Sequence, residues 1–299
     1  MKSIYSRRFN WPYLLAGCML LLWACKGNRQ VNQTEQVHPH PEFDLYSGGF
    51  KVLNIQKNDS ALLRFKKTYD AREQQIILAL NRIDFNNLQK VDSLLIPDSI
   101  WDDFISYTPF PKKVQILDSV DKCIFFSYPL QAFAVYEKGW LMRWGPSSMG
   151  SKRHPTPTGL SFANWKKKTH ISTVDDEWLL RWNVNIYNHK GIGWHQYNMP
   201  GYPASHSCLR LLEADARWLY TWVDNWILQD DDTIRAQGTP VLVSGHYNFD
   251  TPAPWWKLRN SPTGNRLSEA DLASEIKPHL TEILKQQAIR KKVIPDTAQ

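Results

Sequence analysis

The amino-acid sequence predicts a mainly β, β-rich α+β fold: a mostly antiparallel sheet closed into a barrel or sandwich, with one main helix after a cysteine-bearing loop. Three observations carry that expectation. Between residues 114 and 158 the chain reads as short β-branched or aromatic runs at 114–117, 123–128, 132–136 and 140–144. Lys138-Gly139 and Gly145-Pro146 read as turns between them, and residues 178–187 and 240–244 supply further strands. Only one strong helical pattern lies among these runs. There Leu212, Ala216, Leu219, Val223 and Trp226 recur at a spacing of three to four, with Glu213 and Asp215 in the first turn where carboxylates suit the helix dipole. Finally, 14 tryptophans and 42% hydrophobic residues are enough for a substantial core.

Taken in order, the chain opens with a targeting segment. Lys2, Arg7 and Arg8 form a basic region, and residues 11–24 form an apolar stretch short for a membrane span. Leu22-Trp23-Ala24-Cys25 resembles a lipoprotein cleavage box with Cys25 as the lipidated residue. Leu15-Ala16-Gly17-Cys18 fits that box better letter by letter, but cleavage there leaves almost no apolar stretch before it. Residues 1–25 therefore read as a lipoprotein signal peptide, with an uncleaved anchor helix as the alternative. The expected location is the cell envelope, on the periplasmic side, lipid-anchored to a membrane.

Residues 26–58 are polar and read as a flexible tether. From residue 60 to 82 the pattern is helical, with Leu62, Phe65, Tyr69, Ile76 and Leu80 near helical spacing, followed by the strand-like Leu94-Leu95-Ile96-Pro97. Ala79-Leu80-Asn81-Arg82-Ile83-Asp84 through Pro97 resembles the second half of a LysM wall-binding module. Its G-D-x-L is replaced here by Val91-Asp92-Ser93-Leu94. Residues 59–109 are thus either a degenerate LysM-like module or a small helical prop. Residues 110–248 read as the main β-rich domain and 249–299 as a helical extension. Within that extension Ser268-Glu269-Ala270-Asp271 suggests a capping box, and Pro278 should kink the helix or start a second one.

The chemistry concentrates in one stretch, Trp194-His195-Gln196-Tyr197-Asn198-Met199-Pro200-Gly201-Tyr202-Pro203-Ala204-Ser205-His206-Ser207-Cys208-Leu209-Arg210-Leu211. Pro200, Gly201 and Pro203 exclude a single helix, so it reads as a loop between a strand and a helix, with the thiol at the helix entrance. A free thiol is only a few per cent ionised at neutral pH, so a cysteine nucleophile needs a base or a positive helix end beside it. His195 lies thirteen positions upstream, within reach of a folded-back loop. His206, two residues from Cys208, would share its side if the backbone were extended. Cys123 lies in an apolar run and suits packing. His195, His206, Cys208 and His246 could hold a metal by ligand type, but they lack the paired close spacings of zinc sites.

Ser205-His206-Ser207-Cys208-Leu209-Arg210 resembles the S-H-G-C signature of the L,D-transpeptidase (YkuD-type) family. Ser148-Met149-Gly150, Thr156-Pro157-Thr158-Gly159 and Gly238-Thr239-Pro240-Val241 resemble its further motifs in the same order. Ser207 stands where the family carries glycine, so a left-handed backbone at that point is the feature to test. The resemblance implies the L,D-transpeptidase catalytic fold, with Cys208 as nucleophile and His195 as base. It also implies that the Gln196 carbonyl orients the imidazole, with His206 and Ser207 supporting the loop and oxyanion hole. Arg210, Ser205, Trp194 and Tyr202 would bind substrate. It implies peptidoglycan stem peptides as partners and neither metal nor nucleotide as cofactor.

Two alternatives stay open. Either water resolves the thioester, which gives a murein L,D-endopeptidase or carboxypeptidase, or Ser207 marks an inactive lipid-anchored wall-binding protein. The net charge of +7 suits an anionic wall polymer or a membrane surface. Nucleic acid is disfavoured by the export signal and by scattered basic residues with no recognition-helix pattern.

Overall fold

The computed structural model describes residues 40–55, 59–172 and 179–297. The expected signal peptide, including Cys18 and Cys25, lies outside them. None of the helices among the described residues is long and apolar enough to cross a membrane.

The first part is a β-α-α-β unit. Strand β1 (Phe50–Asn54) leads to α1 (Asp59–Thr68) and α2 (Ala71–Leu80), and β2 (Ser93–Pro97) returns antiparallel to β1. The helical pattern over 60–82 is thus two helices. Asp70 breaks it by accepting from the amides of Arg72 and Glu73 while Glu73 accepts from the Asp70 amide, a reciprocal cap. Ala61, Leu62, Phe65, Ile77, Leu78, Leu88, Leu94 and Ile96 close a small core of their own. The tether expectation for 26–58 fails where the structure describes that stretch. Tyr46 is buried against Tyr107 and Trp101, and residues 50–54 pair with β2, because tertiary burial overrides a locally polar composition.

The main sheet follows: β3 (Cys123–Ser127), β4 (Ala132–Glu137), β5 (Trp140–Ser148), β6 (Gly159–Phe162), β7 (Lys166–Ile171), β8 (Leu179–Tyr187), β9 (Ile192–Gln196), β10 (Leu209–Leu211), then helix α3 (Glu213–Trp222). A short hairpin, β11 (Ile227–Leu228) and β12 (Ile234–Ala236), precedes β13 (Pro240–Ser244). Among the described residues nine strands form one sheet in the order β6-β13-β3-β4-β5-β10-β9-β8-β7. Two pairings, β13–β3 and β10–β9, are parallel, and the rest are antiparallel. Strand spacing would put the edges of such a sheet roughly 38 Å apart if it were flat. Yet β6 and β7 sit at opposite edges and are joined by residues 163–165 alone, which reach at most about 14 Å. The sheet must therefore curl, and it does: Asn164 N–H donates to the Asn185 carbonyl at 2.8 Å and Asn185 N–H to the Trp165 carbonyl at 2.9 Å, tying the linker to β8.

The β-rich expectation holds, with local differences. Residues 115–117 form a 3-10 turn rather than a strand. Gly145-Pro146 lies inside β5 rather than at a turn. A Cβ on Gly145 would stand 2.5 Å from Asp215 Oδ2, so the glycine lets α3 approach the sheet. That approach is held by Arg143 on the buried Asp215, with Nη2 to Oδ1 at 2.6 Å. Lys166, Lys167 and Lys168 belong to β7, their ammonium groups lying over Tyr220, Trp165 and Trp182.

After β13 the chain forms α4 (Glu269–Ile276), capped by Ser268 and Asp271, and α5 (Leu280–Thr297) beyond a 3-10 turn at Lys277–His279 that carries Pro278. From His40 onward the chain is one compact unit. Ile76 and Leu80 of α2 share a core cluster with Phe125 and Trp144 of the sheet and with Leu272, Ile276 and Ile283 of the C-terminal helices. Each such buried aliphatic or aromatic side chain contributes roughly 1.5–3 kcal/mol.

Candidate active site

The stretch 194–211 is built as strand, loop and strand. His195 sits on β9 and not in the loop, and the loop ends at Cys208, where β10 begins. β9 and β10 run parallel with Leu209 opposite Trp194 and Arg210 opposite His195. Paired residues on neighbouring strands point to the same face, and so do residues two apart on one strand. This register brings His195, Arg210 and Cys208 to one side of the sheet. A pocket of about 30 Å³ confirms the convergence, lined by His195, Cys208, Arg210, His206, Ser205, Tyr197, Leu180 and Ser172. Such a volume holds only a water or two.

His195 is 4% exposed. Its Nδ1 lies 3.0 Å from the Gln196 carbonyl, which can only accept, so Nδ1 carries the proton and Nε2 keeps its lone pair. Burial pulls the imidazole pKa down to about 4, against the upward pull of that hydrogen bond, and Arg210 pushes the same way as burial. Burial raises the Cys208 thiol, while the Gly193 backbone and Arg210 draw it back. The resting pair is therefore neutral thiol and neutral imidazole. The expected help from a helix N-terminus is missing because β10 separates the sulfur from α3.

Ser207 has a φ of +77°, the left-handed backbone at the position where the family motif has glycine. A side chain there costs roughly 1–2 kcal/mol, and the surroundings hold it. Thr156 Oγ1 accepts from the Gly150 amide at 2.9 Å and donates to the Ser207 carbonyl at 2.9 Å. Ser207 Oγ donates to the His154 carbonyl at 3.3 Å. His206 is exposed and stacks on His154 with ring centroids 4.5 Å apart, so the left-handed residue after it carries it off the extended course.

Of the residues expected to bind substrate, Trp194 does not reach the pocket, while Ser205 lines it. Trp194 is fully buried in the main core against Phe126, because its side chain points to the opposite face of β9 from His195. Ser205 is 2% exposed and spends its hydroxyl on the Cys208 carbonyl, which makes it a loop brace. Tyr202 is 57% exposed. Arg210 is half-buried, its guanidinium 4.7 Å from the Tyr197 ring centroid. His246 is exposed and is not among the residues lining the thiol pocket.

Sequence reasoning missed how the β-α-α-β unit grips this loop. Asp84 N–H donates to the Met199 carbonyl at 3.0 Å, and Met199 N–H donates back to Asp84 Oδ2 at 2.8 Å. Gly201 N–H donates to the Arg82 carbonyl at 3.0 Å, and Ile83 bridges Pro200. Gly201 takes a φ of +89°, and a Cβ there would press on Ile83. The Arg82 guanidinium, buried between Trp144 and Trp255, donates from Nε to the Leu130 carbonyl at 3.1 Å. Only Arg82 and Asp84, both inside the LysM-resembling stretch, hinted at this in the sequence.

The family model of the L,D-transpeptidase (YkuD) catalytic domain matches residues 121–243, from just before β3 into β13. That stretch is similar to an L,D-transpeptidase catalytic domain. Among solved structures, an L,D-transpeptidase from Stackebrandtia nassauensis is 24% identical, with 42% of this chain and 57% of that one covered and a TM-score of 0.35. One from Mycobacterium smegmatis is 22% identical, with 42% and 59% covered and a TM-score of 0.33. An L,D-transpeptidase from Mycobacterium tuberculosis H37Rv is 16% identical, with 69% and 96% covered and a TM-score of 0.34. The chain thus spans 57% and 59% of the length of the first two of these. No curated protein matches it.

Proposed function

We propose that the protein is a cysteine-dependent L,D-transpeptidase that acts on peptidoglycan stem peptides through a thioester. The observation that carries this reading is the shared face of β9 and β10, where His195 keeps Nε2 unprotonated beside the Cys208 pocket. His195 Nε2 takes the proton of the Cys208 thiol as the sulfur attacks the carbonyl carbon of the third stem residue. Amides near Ser207 and Cys208 stabilise the oxyanion. The C–N bond to the terminal D-amino acid breaks, and its amine leaves with the proton from His195. An amine of a second stem then attacks the thioester, gives its proton to His195 and returns the sulfur as thiol. Arg210 suits a stem carboxylate because its guanidinium matches one bidentately. The small resting pocket means that a substrate carbonyl must push aside Arg210 or His206 to reach the sulfur.

A carbapenem tests this reading. Mass spectrometry should find one covalent adduct on the wild-type chain and none on Cys208→Ala. An adduct that survives the substitution refutes the nucleophile. We further propose that Cys25 is lipidated and holds the domain at the periplasmic side of a membrane. Metabolic labelling with palmitate, lost in Cys25→Ala, checks that placement.

A further inference from the structure

A second, much larger cleft borders the nucleophile loop. It measures about 580 Å³, within the range of ligand sites, and runs between the β-α-α-β unit, residues 200–202 and the segment after β13. Its walls are held in place. The Asp84–Met199 and Arg82–Gly201 hydrogen bonds fix the loop, and Trp255 stacks on the buried Arg82. Tyr202 lines the cleft three residues before Ser205, which lines the thiol pocket. Its carbonyl accepts from Ser148 Oγ at 2.7 Å, which fixes the backbone between the two.

The cleft also has a distinct chemistry. Lys90 and Arg259 are exposed at its rim, and neither forms an ion pair or side-chain hydrogen bond among the described residues. Asp92 is the single carboxylate lining it, and Tyr202, Trp256 and Pro200 offer apolar surface. After acylation the thiol pocket is filled by the donor, so the resolving amine must approach over a neighbouring surface.

We propose that this cleft is the acceptor subsite. It would bind a second, anionic stem peptide whose carboxylates meet Lys90 and Arg259, whose aliphatic part lies on Trp256 and Tyr202, and whose free amine reaches past Tyr202 to the thioester. Amine attack then forms the C–N bond, breaks the C–S bond and passes the amine proton to His195. This assignment rests on the thioester reading above.

The test uses the full chain with Lys90→Glu and Arg259→Glu combined, a synthetic tripeptide stem with a free side-chain amine as acceptor, and carbapenem acylation of Cys208 as internal reference. The ratio of cross-linked to hydrolysed product should fall about tenfold, the size of two exposed charge contacts, and recover at high acceptor concentration. Glycinamide, an uncharged amine acceptor, should transfer as before. Calorimetric titration of the tripeptide into the Cys208→Ala chain should weaken about as much on the same charge reversals. An unchanged product ratio, an equal fall with glycinamide, or a wild-type chain that acylates but only hydrolyses overturns the acceptor site. Absence of any carbapenem adduct refutes the thioester reading instead, and the calorimetry then decides the cleft alone. Tighter binding of a neutral glycan than of the tripeptide reassigns the cleft to saccharide.

Discussion

Among the described residues two thiols are free, one in strand β3 and one just before β10, and they differ in everything around them. Cys123 lies in an apolar cluster with Val120, Tyr136 and Leu141, and burial alone pushes its thiol up to about 12. Cys208 is also raised by burial, but the Gly193 backbone and Arg210 oppose that rise and an unprotonated imidazole lines the same pocket. Burial silences both sulfurs at rest. What separates them is the equipment that can take a proton when a substrate arrives. The two thiols differ in what lines their surroundings and not in residue type.

The largest expected break in that contrast comes from His195→Ala. It should slow carbapenem acylation of Cys208 by about 10²–10⁴-fold, leaving Cys208 nearly as inert as Cys123. The pH profile sharpens the point. A base works only while unprotonated, and the imidazole stays so down to about pH 4. The acid limb of the acylation rate should therefore fall near 4 rather than near the ordinary 6.5, and a limb at 6.5 would show that His195 is more hydrated than the structure has it.

A smaller effect is expected at Asp84. Asp84→Ala removes the acceptor for the Met199 amide and the cap on Asn87, which should cost about 1–2 kcal/mol in urea unfolding. It should slow Cys208 acylation more than Asn87→Ala does, since the latter spares the Met199 bond. Equal slowing would reduce Asp84 to a cap. The smallest effect belongs to the silent thiol. Cys123→Ala should lose only about 1 kcal/mol, the cost of a small cavity, with the acylation rate unchanged.

Much of this was readable from the chain. The runs at β3, β4 and β13 are apolar on both faces and bounded by turn residues, so they declare themselves. The Ser268–Asp271 cap and the break at Pro278 follow from local chemistry. Strands β1 and β7 were not legible. Residues 50–54 are exposed except for the packing of Phe50 and Leu53, and β7 opens with three lysines whose stems need aromatic partners supplied from β8 and α3. At the site, His195, Cys208 and Arg210 could be picked out by type and spacing. Depth could not: Trp194, expected to bind substrate, is buried in the main core. Ser207 shows the same limit, since nothing in the motif reveals that Thr156 holds its carbonyl.

The bridge between Ile83 and Pro200 carries a practical consequence. A recombinant fragment trimmed to the matched stretch, residues 121–243, would sever the strap that shapes the entrance to the sulfur. It would also expose the Trp144 indole face that Arg82 now covers, and would lack Trp255 altogether. Inhibitors ranked against such a fragment would be ranked against the wrong cavity, and screens belong on the chain with its N-terminal unit in place.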